Sequence, residues 1–229
     1  MSMTFTLGSP PGAHQSLGDI DSVLGRLAGI HGWPDPFAWD DGGLTEGNNF
    51  AALLLHITGQ QISTAVAFVL VERLRTVLGG LPTPTGILSL GPDRLRTLGM
   101  SRAKAAAMMS LGQMQVVGEL DVDDLDHLDD EQAIAALTRV RSIGRWTAEM
   151  FLVHQLRRAD VLPAGDLGIR RAVERAWGLS TLPAIDDVRA LARGWSPYRS
   201  HAAALLWASL GPAAGGGAGR TDRTPNAGS

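Results

Sequence analysis

The residues best placed to do chemistry lie in two short stretches, 137–151 (LTRVRSIGRWTAEMF) and 160–172 (DVLPAGDLGIRRA). In the first, a helical run stops, Ser142-Ile143-Gly144 make a tight turn, and a second helical run starts at Arg145-Trp146-Thr147-Ala148. The first backbone N–H groups of a helix have no partner within it, and together with the helix dipole they form a ready anion site. Arg139, Arg141 and Arg145 around this turn point to a phosphate, with Gly144 supplying the positive φ that such a turn needs. An ordinary pair of helices joined by a glycine-bearing turn has the same pattern. In the second stretch Asp166 stands with no other acid between Asp160 and Glu174, follows Pro163-Ala164-Gly165, and opens a helical run. A carboxylate so placed can stabilise a developing positive charge. Asp is also a favoured N-cap, and most aspartates at helix starts do nothing more than cap.

The elements that must hold these residues are helices. Alternating β-branched runs are scarce, and Ala, Leu and Arg dominate, so the chain reads as all-α. Helices are expected over 17–30, over 50–78 with an interruption near Gly59, over 102–117 after a Gly99 stop and a Ser101 cap, and over 131–140. Further helices are expected over 146–157, 167–177 behind Asp166, 185–193 and 197–210. Residues 1–15 and 212–229 are rich in Gly, Pro, Ser and Ala and are expected to be disordered.

Composition excludes several chemistries. The chain has no cysteine, so disulfides, thiolate zinc sites, iron–sulfur clusters and Cys nucleophiles are absent. Its six histidines have no metal-ligand spacing and read as scattered. No apolar run is long enough to span a membrane and the N-terminus has no signal-like pattern, so a cytoplasmic location is expected. Net charge is −3, which argues against a general nucleic-acid coat. The charge is segregated, however. Residues 119–131 carry eight acids and no Lys or Arg, while 138–201 carry eleven Arg against six acids.

The hairpin, together with LLHITGQQIS at 54–63, DVLPAGDLGIRRA at 160–172 and WSPYRSHAAALLW at 195–207, resembles the helix–hairpin–helix DNA glycosylase superfamily. The likeness is to its alkyl-purine branch, the 3-methyladenine DNA glycosylase II type, and it runs from about Phe50 to Leu210. The resemblance implies an all-α, two-lobed fold with DNA bound across the cleft. One lobe is expected over 16–47 plus 159–211, and the other, carrying the hairpin, over 48–158. About 45 residues precede the first matching block, which suggests the compact form without the extra N-terminal β domain.

The resemblance also implies roles. Asp166 falls on the catalytic aspartate, stabilising an oxocarbenium-like sugar as an alkylated purine departs. Trp146 and Trp207 would line the base pocket with Phe50, and Trp207 would face Asp166. Trp33 and Trp39 would edge the cleft, whereas Trp177 and Trp195 read as packing. Relatives that also cut the strand carry Lys where this chain has Trp146, and an indole forms no Schiff base, so base release without lyase activity is expected. Gln61 would fill the gap left by a flipped base. Ser142, Gly144, Arg145 and Thr147 would grip the DNA backbone, with weaker contacts from Ser63 and Thr64. No cofactor is required, although hairpin carbonyls of Thr138, Val140 and Ile143 would hold Na+ or K+. The family hairpin has two glycines and this chain has Ser142 at the first, a departure that bears on that ion. The expected partner is duplex DNA with alkylated bases, met by a monomer. A non-catalytic, structure-specific DNA-binding protein using the hairpin alone is the alternative.

Overall fold

The computed structural model describes residues 13–211. Most of the two termini expected to be disordered therefore lies outside the described residues. The first helix, α1 (Ala13–Ile20), nevertheless begins inside the N-terminal one. It is followed by α2 (Ser22–His31), α3 (Asn49–Gly59), α4 (Thr64–Leu78), α5 (Pro84–Thr97), α6 (Arg102–Val116) and α7 (Asp130–Thr138). Then come α8 (Arg145–His154), α9 (Leu167–Trp177), α10 (Ile185–Leu191) and α11 (Arg199–Ser209), with short 3-10 turns at Asp124–His127 and Ala192–Trp195. The described residues contain no strand.

Most helix starts are set by a side-chain cap. Asp21, Asn48, Ser63, Thr83, Ser101, Asp129 and Asp166 each accept a backbone N–H from the first turn of the helix that follows. Asp21 therefore divides the single helix expected over 17–30 into α1 and α2. Its carboxylate accepts from Val23 and Leu24 in place of continuing the helix. Gly91, at φ +71°, breaks α5 just before Pro92.

Two apolar cores organise the chain. The first runs from Phe50 on α3 through α4–α8 and ends at Val161. The second joins Leu17, Leu24 and Leu27 of α1 and α2 to Leu162, α9 and α11. Val161 and Leu162 are consecutive residues that enter different cores, as side chains in an extended segment alternate. The chain thus crosses from one core to the other immediately before Asp166. Ser200, at the start of α11, fixes this crossing. Its Oγ donates to the Arg158 carbonyl at 2.6 Å and accepts the Val161 N–H at 3.1 Å. Arg199 adds two 2.8 Å bonds to the Asp160 carboxylate. Burial pulls the Asp160 carboxyl up, but the Arg199 and Ser196 hydrogen bonds outweigh it and leave it below its ordinary value.

Candidate active site

Asp166 occupies the junction. Its Oδ1 accepts the Ile169 backbone N–H at 3.0 Å, which caps α9, and the Trp207 indole N–H at 3.0 Å. Its Oδ2 accepts the Trp146 indole N–H at 2.9 Å. Trp146 comes from α8 beside the first core, and Trp207 comes from α11 beside the second, so each side of the junction contributes one indole. Trp146 is 41% exposed and is the more open side of this clamp. Gly168 leaves room for it: a Cβ there would stand 2.9 Å from Asp166 Oδ1 and 3.3 Å from the Trp207 ring.

A small cavity of about 70 Å³ opens on the α8 side of the site, with Trp146 as one wall and Trp39, His56, Phe68, Met150 and His154 among the others. Phe50 does not line it. That residue is 4% exposed in the first turn of α3 and belongs to the core, because the face of α3 toward the cavity carries Leu55, His56 and Gly59. Trp39, on the long loop after α2, stacks on His154 at 4.9 Å and on His56 at 5.6 Å. A larger cavity of about 470 Å³ lies elsewhere, among the charged residues of α7, α8, α10 and α11, and includes neither Asp166 nor either indole.

The hairpin keeps its shape by a different residue from the one expected. Gly144 is extended, at φ −86° and ψ 170°, and serves as N-cap of α8. The left-handed residue is Ser142, at φ +66°. Its carbonyl accepts a 3.0 Å bond from Gln60 Nε2, which also donates to Thr147 Oγ1 at 3.1 Å. A non-glycine residue held at positive φ stores strain on the order of 1 kcal/mol. Ser142→Gly is therefore expected to raise stability by roughly 0.5 kcal/mol, after allowing for the extra unfolded-chain entropy of glycine. A urea midpoint lower than that of the parent would show that the serine is unstrained.

The phosphate grip is likewise rearranged. The Arg145 guanidinium is held by Glu131 at 2.9 Å and by Glu149 at 2.8 Å, so it is occupied within the protein. Thr147 is 4% exposed with its hydroxyl engaged by Gln60. Arg139 donates to the Glu119 carbonyl, while Arg141 is exposed and makes no ion pair among the described residues. The first-turn backbone N–H groups of Arg145, Trp146 and Thr147 in α8 have no side-chain cap, because the N-cap is Gly144. Gln60 is the C-cap of α3, and Gln61 follows it. They form the turn between α3 and α4, where Gln61 is exposed at φ +59°. Ser63 Oγ caps α4.

Glu149, absent from the sequence reading, explains Arg145. It is 3% exposed, and burial raises its carboxyl while Arg145 opposes that rise. Arg145→Ala is expected to cost about 2 kcal/mol of stability, below the roughly 3–5 kcal/mol of a fully buried pair because Arg145 is itself 41% exposed. Urea unfolding should show this cost, and Arg145→Ala combined with Glu149→Gln should recover part of it. Unchanged stability of the single variant would mean that Glu149 is satisfied without its partner.

Residues 55–197 match the family model described as HhH-GPD superfamily base excision DNA repair protein. The chain belongs to this superfamily. Among HhH-GPD relatives, DNA-3-methyladenine glycosylase 1 of Schizosaccharomyces pombe is 30% identical over 161 residues, covering 69% of this chain and 71% of that protein. DNA-3-methyladenine glycosylase 2 of Escherichia coli is 31% identical over 165 residues, covering 68% of this chain and 55% of that protein. A Bacillus subtilis protein provisionally named for the same activity is 32% identical, and the match spans 56% of its length. The chain thus spans little more than half of some of these relatives. In three dimensions it is similar to the S. pombe 3-methyladenine DNA glycosylase solved in complex with abasic DNA, with a TM-score of 0.73 and 27% identity over 85% of this chain and 94% of that one. The described residues thus share an all-helical fold with HhH-GPD glycosylases.

His56 and His154, which read as scattered, are the main site feature that sequence reasoning missed. They lie on α3 and α8 and meet at the cavity. Each interrupts an apolar run, ALLLHI and MFLVH, and that is the one local signal for them. Among the described residues no helix is long and apolar enough to cross a membrane.

Proposed function

We propose that this HhH-GPD protein is a monofunctional DNA glycosylase that extrudes alkylated purines, such as 3-methyladenine and 7-methylguanine, from duplex DNA and hydrolyses the N-glycosidic bond. The observation that carries this reading is the Asp166 carboxylate held by two indole N–H groups beside an aromatic-walled cavity. The names of the relatives agree with it.

The chemistry follows from the arrangement. When the C1′–N bond breaks, its electron pair leaves with the base and positive charge develops on the sugar. Asp166 supplies the opposing negative charge. The same carboxylate orients the water that adds to C1′. An alkylated purine is cationic while still attached to the sugar, so it takes the bonding pair and departs as a neutral base with little acid assistance. An indole face on Trp146 favours such a cation. No lysine stands at Trp146, so no Schiff base forms and the strand stays intact.

Backbone N–H groups at the start of α8 would take a DNA phosphate, and Gln61, on its exposed turn, would enter the space left by the base. The Thr138 and Ile143 carbonyls accept no backbone hydrogen bond among the described residues, and that of Val140 accepts one, from Ile143. Neutral carbonyl donors of this kind fit Na+ or K+, and Ser142 reaches the left-handed conformation the turn needs. Such an ion would brace the turn and take no part in bond cleavage. The protein would work as a monomer in the cytoplasm.

The test is release of 3-methyladenine and 7-methylguanine from methylated duplex DNA, with the product strand cut only after alkali. Failure to release either base removes the proposal. Strand cleavage without alkali removes its monofunctional part.

A further inference from the structure

We infer that His56 and His154 are the specificity-determining residues of the base site, hydrogen-bonding the edge of the extruded purine through their ring nitrogens. This rests on the glycosylase reading above and goes beyond it by naming what discriminates one base from another.

Both imidazoles line the cavity that Trp146 bounds, and Trp146 is also the indole that touches Asp166. A base seated against Trp146 with its sugar at Asp166 therefore reaches toward them. His56 Nε2 and His154 Nδ1 are buried polar atoms with no hydrogen-bond partner. Buried polar atoms without a partner are rare in folded proteins, and each one calls for an explanation. Nothing in the packing requires nitrogen here, since the cavity walls are otherwise apolar or aromatic apart from Thr64. The rings are also held still. Trp39 lies within 6° of parallel to His154 and 23° to His56, while Phe151 meets His56 edge-on. The two rings are thus held in fixed orientations, as a hydrogen-bonding template needs.

Burial lowers His56 to about 4 and His154 to about 3, so both are neutral near pH 7. A neutral imidazole has one N–H donor and one acceptor lone pair. The pair can therefore match the mixed donors and acceptors of a purine edge without repelling a cationic base. A site that pairs a substrate group and leaves its own polar atoms unpaired with the wrong base discriminates far more strongly than an apolar wall does.

The test uses His56→Phe and His154→Phe, which keep the ring stack and remove the nitrogens, with His56→Gln and His154→Gln as polar counterparts. Single-turnover release of 3-methyladenine and 7-methylguanine from methylated duplex DNA is compared with release of hypoxanthine from a single-lesion duplex. Binding to a duplex with an abasic-site analogue, which offers no base edge, is measured alongside. Either Phe variant is expected to shift the release ratio between at least two bases tenfold or more, to bind abasic DNA as the parent does, and to melt at the parent temperature or above. The Gln variants are expected to restore part of the parent ratio. Equal loss for every base, weakened abasic binding or a lowered melting temperature would overturn the inference in favour of a structural role, as would unchanged ratios. A parent protein that releases no base at all would instead defeat the glycosylase reading, and this inference with it.

Discussion

Asp166→Asn is expected to fold like the parent and to lose base release by roughly 100-fold to 1,000-fold, the range seen when one preorganised electrostatic group is removed. Folding should survive because Asn caps helices about as well as Asp, and its Oδ1 can still accept from Ile169 and Trp207. The chemistry should not survive, because the amide carries no charge to set against the sugar cation. The exchange also places an Nδ2 donor opposite the Trp146 indole donor, now 2.9 Å from Oδ2, so Trp146 must leave its position. Trp146→Phe separates the two effects, since it removes that hydrogen bond and leaves the carboxylate. A much smaller loss in Trp146→Phe than in Asp166→Asn would identify the charge as the cause. Single-turnover base release near the parent rate in Asp166→Asn would place the catalytic group elsewhere.

Acidification is expected to destabilise the fold before most carboxylates titrate. His56 and His154 sit at about 4 and about 3 in the folded protein, lowered by burial and, for His154, by His56 as well. In the unfolded chain both return to roughly 6.5. Between these values the unfolded state binds more protons than the folded state, so stability falls as pH falls. It is fully present above about 6.5 and is lost progressively down to the folded values. At 1.36 kcal/mol per unit, lowering the pH from 7 to 5 should cost about 2 kcal/mol for each histidine. No Asp or Glu lines the cavity to compensate a charged imidazole. Urea unfolding at pH 7 and pH 5 measures the loss, and the double variant His56→Phe/His154→Phe should abolish most of it. An equally steep loss in that double variant would trace the acid sensitivity to other groups.

A capping aspartate that also accepts an indole N–H occurs twice among the described residues, which bears on what sequence can reveal. Asp21 caps α2 and accepts Trp195 Nε1 at 3.0 Å, yet Trp195 is 1% exposed and the arrangement is packing. Asp166 differs in having a second indole, exposed, on its other oxygen. Both aspartates read alike as helix starters, and only the company each keeps in space separates them.

Helix starts, helix type and the position of Asp166 were legible because they depend on neighbours in the chain: caps, breakers and apolar spacing act within a few residues. The motif blocks were legible for the same reason, each being one continuous turn or helix end. The tertiary structure decided the rest. It paired Arg145 with Glu131 and Glu149, turned Phe50 into the core, and assigned the left-handed turn to Ser142. It also brought together His56 and His154, which stand 98 positions apart in the chain. Burial, ion pairing and the loss of a hydrogen-bond partner are properties of three-dimensional neighbours, and side chains far apart in sequence have no local pattern that announces them.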